Sequence, residues 1–160
     1  MHWEFHTFQS LDTQRLFELM KLRTDVFVVE QQCAYPELDH FDNLPSTLHL
    51  LGFDQSVLTS YARAMPIDEN VIGDGEHRIS AVRIGRVVVK KSYRGTGLAD
   101  QLMNQMIAEL EKDYPATDHV LSAQEPITSF YEALGFVTES DGYLEDGIPH
   151  IDMRRSVTPS

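Results

Sequence analysis

The segment from Val87 to Asp100, VVVKKSYRGTGLAD, combines residue types that can bind a phosphate group. Three consecutive valines are typical of a strand buried on both faces, and the apolar spacing that begins at Leu98 predicts a helix. The first N–H groups of a helix lack partners within it, and the helix dipole adds positive charge there, so an anion is stabilised. Gly95 and Gly97 permit positive φ and a close approach of the backbone to that anion. The segment therefore predicts an anion-binding loop.

The positive charge of the chain is concentrated around this loop. Six of the 13 lysines and arginines fall within 17 residues that contain no carboxylate: Arg78, Arg83, Arg86, Lys90, Lys91 and Arg94. The alternative is that the glycines merely end a loop and the cations form a solvated rim, but the strand before the loop and the helix after it favour binding. Two other phosphate-binding motifs do not fit, because there is no G-x-x-x-x-G-K-[ST] and no third glycine or acidic ribose ligand at dinucleotide spacing. The segment instead reads R-x-x-G-x-A.

The strands that must position this loop follow from apolar periodicity. They are predicted at Trp3 to Phe8, Leu48 to Phe53, Leu58 to Met65, Ile79 to Val89 and His119 to Ala123, with the last strands at Phe136 to Val137 and His150 to Met153. The tripeptide DQS separates the second and third strands at hairpin spacing, so that pair is antiparallel. A helix connects the fourth and fifth strands, so that pair is parallel.

Three helical regions are predicted between these strands. The first runs from Asp12 to Glu30, with Ser10 or Asp12 as its N-cap. The second starts at Leu98, and the third is short, begins near Pro126 and stops at Gly135. Its buried face is predicted to contain Ile127, Phe130 and Leu134. The order of elements indicates an α/β fold with a mixed sheet of six or seven strands.

Composition predicts one folded domain over residues 1–155, with flexible segments at Pro66 to His77 and in the tail, residues 156–160. Of the 160 residues 42% are hydrophobic, which excludes disordered classes. The net charge of −12 disfavours nucleic acid and anionic membranes as partners. No signal peptide is evident, and no apolar run approaches the roughly 20 residues of a membrane span. The single cysteine, Cys33, cannot form an internal disulfide, so a cytoplasmic location is expected.

With Arg94, Gly97 and Ala99 in this order, the chain resembles the GNAT superfamily of acyl-coenzyme A dependent N-acetyltransferases, whose loop is [Q/R]-x-x-G-x-[G/A]. The second part of the signature is also present as Gln124 followed seven residues later by Tyr131. The segments LRTDVFVVEQQCAYPELDHFD (22–42) and YLEDGIPHIDM (143–153) are similar to the ElaA-like branch. The resemblance covers nearly the whole chain. It implies a GNAT-like sheet with helices on both faces and splayed central parallel strands.

The resemblance implies a binding site for acetyl-coenzyme A, used as a co-substrate. The backbone of Val87, Val88 and Val89 would pair with the pantetheine amides. The N–H groups around the pyrophosphate would come from the loop that Arg94 opens, namely from Gly95, Thr96, Gly97, Leu98, Ala99 and Asp100. Gln124, on the fifth strand, would hydrogen-bond the pantetheine arm.

By the same resemblance, Tyr131 matches the position where many members carry the acid that protonates the departing thiolate. The alternative is a core aromatic residue with a satisfied hydroxyl. Because Phe130 is expected to supply the buried ring of this helix, the catalytic role of Tyr131 is favoured.

The base that deprotonates the attacking amine is not assigned. The family often places a glutamate on the central strand where this sequence has Arg83. Other candidates are Glu30, His40, Asp42, His119, Glu125 and His150. The run DHFD (39–42) contains metal-ligand types, but an acidic solvated turn explains it better, so no metal is expected.

The sequence predicts an N-acetyltransferase that moves acetyl from acetyl-coenzyme A to a primary amine by direct attack, without Cys33 as a nucleophile. The acceptor is a small molecule or a peptide, and eight carboxylates before residue 45 favour a cationic one. A non-catalytic acyl-coenzyme A sensor or interaction module is the alternative that Arg83 admits. A longer acyl chain and a homodimer both stay open.

Overall fold

A computed structural model describes the backbone of residues 1–70 and 77–158, and the side chains of residues 1–68 and 78–158. Residues 71–76 of the predicted flexible segment, and residues 159–160 of the predicted tail, lie outside the described residues. None of the described helices is long and apolar enough to cross a membrane.

The described residues form eight strands and three α-helices. The strands are β1 (His2–His6), β2 (Leu48–Asp54), β3 (Val57–Asn70), β4 (His77–Val89), β5 (Asp118–Gln124), β6 (Val137–Thr138), β7 (Tyr143–Glu145) and β8 (Ile148–Arg155). The helices are α1 (Thr13–Arg23), α2 (Leu98–Asp113) and α3 (Thr128–Glu132), together with a π-helix (Thr24–Glu30) and 3₁₀ turns at Phe8–Ser10, Lys91–Tyr93 and Glu125–Ile127.

The strands form one mixed sheet in the order β1-β2-β3-β4-β5-β8-β6, with β7 also paired to β8. The β1–β2 and β2–β3 pairs are antiparallel, as are the pairs that β8 makes with β5, β6 and β7. The β4–β5 pair is parallel, as predicted, and its ladder runs from Ala81–Asp118 to Arg83–Val120. Strand β5 continues beyond this ladder to Gln124 and pairs there with β8.

The chain divides into two compact units. The first contains Met1–Met65 with Arg86–Ile107, and the second contains Pro66–Gly85 with Ala108–Ser160. The core of the first unit joins α1 to strands β2, β3 and β4 through Leu19, Leu22, Leu51, Phe53, Leu58, Tyr61 and Val88. The second unit buries Val82, Ile84, Val120, Leu121, Ala123, Tyr131, Phe136 and Met153.

The first predicted helical region is confirmed, but it changes from an α-helix to a π-helix along its length. Asp12 is the N-cap of α1, and its side chain accepts a hydrogen bond from the backbone N–H of Arg15 at 2.7 Å. From Thr24 the chain continues as a π-helix to Glu30. Helix α2 follows its predicted apolar spacing, with Leu102, Met106 and Leu110 fully buried.

Several predictions about the sheet are wrong. The described residues form eight strands, not six or seven, because the turn at Asp146 and Gly147 folds Tyr143–Glu145 back onto β8. Both turn residues have positive φ, as this kind of hairpin requires. Strand β3 extends to Asn70, so the first part of the predicted flexible segment is regular strand.

The predicted burial of two segments is also wrong. Among the three valines only Val88 is buried, while Val87 and Val89 are half-buried, so this end of β4 is not covered on both faces. In the third helical region Ile127 is 46% exposed and Phe130 is half-buried. The buried ring there belongs to Tyr131, which removes the argument that Phe130 leaves Tyr131 free of a packing role.

Candidate active site

The predicted anion-binding loop lies in the first unit, between the 3₁₀ turn that follows β4 and the start of α2. Gly95 and Gly97 have φ of +74° and +81°, and a Cβ added at either glycine would meet no atom within 4 Å. The loop is therefore open on its glycine side. The hydroxyl of Thr96 donates to the carbonyl of Tyr93 at 2.6 Å and closes the loop from within.

The start of α2 offers unsatisfied donors to an anion. The N–H of Gln101 donates to the carbonyl of Gly97 at 3.2 Å, which is the i to i−4 bond expected in the first turn. The N–H groups of Leu98, Ala99 and Asp100 precede it and have no acceptor within the helix. With the dipole of this 16-residue helix behind them, they fit a phosphate or pyrophosphate group.

Arg94, the first residue of the loop, is paired with a carboxylate. Its guanidinium donates to both oxygens of Glu30, with Nη1–Oε1 at 2.8 Å and Nη2–Oε2 at 2.7 Å. Its Nε donates to the carbonyl of Val89 at 3.0 Å. The hydrogen bonds from Arg94 lower the pKa of Glu30 below its ordinary value. Arg94 therefore joins the end of β4 to the π-helix.

Only part of the basic cluster predicted around the loop is available to bind an anion. Arg86, which has a φ of +53° in β4, turns its guanidinium to Glu37 and Asp39 at 3.1 and 3.3 Å. Lys90 and Lys91 are exposed at the end of β4, and neither ammonium group lies within 4 Å of a described carboxylate, although the charge of Lys91 contributes to the lowered pKa of Glu30. The free positive charge beside the loop in this unit is thus carried by the two lysines.

Arg86 belongs to a buried ion network that sequence reasoning missed. Arg23 is 0% exposed and donates to Glu37 at 2.8 Å and to Asp42 at 2.7 Å. Arg63, which is also buried, donates to Asp39 at 2.8 Å and to Asp42 at 2.9 Å. Three arginines and three carboxylates therefore neutralise one another.

The pKa of Asp42 reflects its contacts with the arginines of this network. Burial acts to raise its pKa, but the hydrogen bonds from Arg23 and Arg63 hold the pKa at about 2. His49 donates from Nε2 to the carbonyl of Asp42 at 2.9 Å, and the Tyr61 hydroxyl donates to Nδ1 of His49 at 2.6 Å. Asp39 and Asp42 of the DHFD run thus belong to a packed ion-pair network, and the prediction of a solvated acidic turn is wrong for these two residues.

The remaining predicted residues lie in the second unit. Gln124 ends β5, pairs with His150 of β8 and precedes the 3₁₀ turn that leads into α3. Tyr131 is 6% exposed, and its ring packs edge-on against Phe130 and Phe136. Its hydroxyl makes no hydrogen bond to another described residue, and burial raises its pKa to about 12. The phenol is therefore protonated at neutral pH.

The structure separates the candidates for the base. Glu30 and Asp42 are held by arginines, and His119 is fully buried, so none of these three is well placed to accept a proton from a substrate. His150 is 8% exposed, and its Nδ1 donates to the carbonyl of Ile148 at 2.7 Å. Its Nε2 lies 3.4 Å from a carboxylate oxygen of Glu145.

Comparison with known proteins shows which family the chain belongs to. The sequence matches the family described as the acetyltransferase (GNAT) domain over residues 52–157. The chain therefore belongs to the GNAT acetyltransferases, in which an acyl group is transferred from coenzyme A, and the predicted family is confirmed.

Within this family the chain is similar to ElaA and its relatives. The crystal structure of Escherichia coli ElaA superposes with a TM-score of 0.87 at 34% identity, covering 97% of this chain and 99% of that one. An acyl-CoA N-acyltransferase from Pseudomonas aeruginosa superposes with a TM-score of 0.85 at 37% identity, covering 98% and 100%. A UPF0039 protein of Schizosaccharomyces pombe is 39% identical over 96% of both chains.

Proposed function

We propose that this protein transfers an acetyl group from acetyl-coenzyme A to a primary amine by direct attack of the amine on the thioester. The observation that carries the proposal is the loop from Arg94 to Asp100, where two glycines at positive φ precede the unsatisfied N–H groups of α2. Membership of the GNAT family supports acyl transfer as the chemistry.

The proposed roles of the residues follow from their surroundings. The N–H groups of Gly95 to Asp100 bind the pyrophosphate, and the lysines that follow β4 add positive charge. The backbone of Val87, Val88 and Val89 hydrogen-bonds the pantetheine amides, and the side chain of Gln124 binds the pantetheine arm. Acetyl-coenzyme A would supply the activated thioester. Tyr131 holds the proton that the departing thiolate needs, because its burial keeps the phenol protonated.

The choice of acceptor needs revision at one point. The eight carboxylates before residue 45 suggested a cationic acceptor, but all eight are engaged within the first unit. Glu4 and Glu18 pair with the side chain of Arg15, and Asp12 accepts a hydrogen bond from the backbone N–H of Arg15. Asp25 pairs with Lys21, and Glu30 pairs with Arg94. Glu37 and Asp42 pair with Arg23, and Asp39 pairs with Arg63. These groups therefore give little support to a preference for cations.

The test is a release assay with purified protein, acetyl-coenzyme A and a panel of amines, in which free thiol is monitored and the acetylated product is identified by mass. Thiol release that depends on one amine, and that is at least about tenfold slower in Tyr131→Phe, supports the proposal. Release that no amine stimulates contradicts it.

A non-catalytic acyl-coenzyme A sensor is the second candidate. The observation that favours it is Arg83, which occupies the strand position where a glutamate base is common in the family and which is exposed in β4. A sensor would bind acetyl-coenzyme A in calorimetry without releasing thiol in the presence of any amine. Repeating both measurements with longer acyl chains establishes whether acetyl is the preferred group.

A further inference from the structure

A pocket of about 280 Å³ in the second unit is lined by charged side chains above an apolar floor. Arg83, Glu139, Asp152 and Arg154 supply the charges, and Val120 is part of the floor. Sites for small ligands usually occupy roughly 300 to 1,000 Å³, so this pocket lies near the lower end of that range and suits a small molecule.

The strand register places three of these charged residues on the same face of the sheet. Arg83 pairs with Val120, and Val120 pairs with Arg154, so these three residues form one row across β4, β5 and β8. Asp152 lies two residues before Arg154 on β8 and therefore points to the same face. Arg83 and Asp152 lie on opposite sides of β5, and no ion pair joins them in the described structure.

The charges of Glu139 and Arg154 are satisfied within the protein. Nε of Arg154 donates to Glu139 at 2.7 Å, and Nη1 of Arg154 donates to Asp118 at 3.3 Å. Arg83 has no ion pair to any described residue. The pocket thus retains the positive charge of Arg83 for a ligand.

Asp152 likewise has no ion pair to a described residue, but its position is fixed by a hydrogen bond. The Tyr143 hydroxyl donates to Oδ1 of Asp152 at 2.7 Å and also contacts the Ser122 hydroxyl. The ring of Tyr143 stacks on His150 with a centroid distance of 6.2 Å. The carboxylate is therefore held in a fixed position at the pocket.

We propose that this pocket binds the acyl acceptor as a small zwitterion of the amino-acid type, with its carboxylate on Arg83 and its ammonium group on Asp152. A guanidinium can bind a carboxylate through two parallel hydrogen bonds, and a carboxylate accepts charged hydrogen bonds from an ammonium group. The role of acceptor rests on the proposed function. The binding of a zwitterion does not.

Calorimetry with a matched panel tests the proposal. The probes are the L-amino acids, their amides, which lack the carboxylate, and the corresponding carboxylic acids, which lack the amine. We expect one or more amino acids to bind at least about tenfold more tightly than either analogue, as two charged contacts predict. The preference over the amide should disappear in Arg83→Gln, and the preference over the carboxylic acid should disappear in Asp152→Asn.

Arg78→Gln is the matched control, because Arg78 is exposed on the same strand and does not line the pocket. Both preferences should persist in this variant. The proposal is overturned if no amino acid binds, or if Arg83→Gln and Asp152→Asn retain both preferences.

A separate titration with coenzyme A distinguishes the two proposals. If coenzyme A does not bind but the amino-acid preferences follow Arg83 and Asp152, the proposed function fails and the zwitterion site stands. If coenzyme A binds and an amino acid is acetylated no better than its amide by wild type and by Arg83→Gln alike, the zwitterion site fails and acyl transfer stands.

Discussion

Glu30 and Arg94 form a two-point ion pair across 64 positions of the chain, at 2.8 and 2.7 Å. The pair places a carboxylate beside the loop that is proposed to bind a pyrophosphate. Glu30 thereby fixes the first residue of the loop, and it also reduces the positive charge that the loop presents to an anion.

Glu30→Gln should bind coenzyme A more tightly than wild type at low salt, by about two- to tenfold, because a negative charge near the phosphates is removed. The gain should shrink as the ionic strength rises. Calorimetry at two salt concentrations measures both effects. Asp25→Asn is the control, since it removes one charge from an exposed ion pair with Lys21. Weaker binding by Glu30→Gln would show that holding Arg94 in place outweighs the repulsion.

Substitution of Gly97 should separate backbone strain from charge. Gly97→Asp and Gly97→Asn add side chains of the same shape at a φ of +81°, and asparagine tolerates this region better than most residues. We expect Gly97→Asp to bind coenzyme A much more weakly than Gly97→Asn, because only aspartate repels the phosphates. Calorimetry gives both affinities.

Gly147→Asp is the matched control, because Gly147 also has a positive φ, of +78°, and open space where a Cβ would be added. Its affinity for coenzyme A should equal that of wild type. Equal affinities of Gly97→Asp and wild type would locate the pyrophosphate elsewhere.

Tyr131→Phe should lower kcat by roughly tenfold to a thousandfold while the affinity for coenzyme A changes little, because only a proton donor is removed. The ring still packs, and the hydroxyl bonds no other described residue, so the thermal midpoint should stay close to that of wild type. Turnover and thermal denaturation are the measurements. Tyr114→Phe serves as control, as Tyr114 follows α2 and is half-buried. An unchanged kcat, when chemistry limits the rate, would leave Tyr131 a packing residue.

Cys33→Ala should remain active, because direct attack needs no acylated residue. Cys33 is half-buried just after the π-helix, and its N–H donates to the carbonyl of Val28 at 3.1 Å. Intact-mass measurement after mixing the wild-type protein with acetyl-coenzyme A and no amine should show no stoichiometric adduct. An adduct that is absent in Cys33→Ala and is discharged by amine would contradict direct transfer.

His119 should make stability fall on acidification. It is fully buried, neither ring nitrogen has a hydrogen-bond partner among the described residues, and burial lowers its pKa. The unfolded chain therefore binds the proton at a higher pH than the folded protein. The free energy of unfolding should decline as the pH drops below about 6.5, by up to about 1.4 kcal/mol per pH unit until the folded pKa is reached.

His119→Leu should remove this contribution, and it should be at least as stable as wild type at pH 7.5, since no unpaired nitrogen is buried. Urea denaturation between pH 5 and 7.5 gives the difference between the two proteins. His40→Leu, at an exposed histidine, should retain the wild-type slope. A slope that His119→Leu leaves unchanged would assign the effect to other groups.

The sequence predicts best the elements whose packing shows in local periodicity. Helix α2 appears where its apolar residues recur every fourth position, and the parallel β4–β5 pair follows from the helix between those strands. Strand β7 was missed because its three residues are exposed and carry no apolar alternation. The Asp146–Gly147 pair was the available signal, since it favours a hairpin turn.

In the candidate site, too, local features could be predicted from the sequence and long-range contacts could not. The loop at Gly95 and Gly97 follows from residue types and spacing, whereas its partner Glu30 lies far away in sequence and no local pattern indicates the contact. The burial of Arg23 could have been suspected, because Arg23 lies four residues after Leu19 on the apolar face of α1. What satisfies its charge depends on Glu37 and Asp42, and such long-range compensation is not encoded in periodicity.

The buried Arg23 guanidinium also constrains the order in which the chain can fold. Its charge can leave water at low cost only when carboxylates replace the lost hydration, and these lie 14 and 19 residues further along the chain. If α1 packed onto the strands before residues 37–42 reached their folded position, the Arg23 guanidinium would be buried without a carboxylate partner. We therefore expect the end of α1 and this loop to become ordered in a single kinetic step, even though α1 could form its own turns earlier.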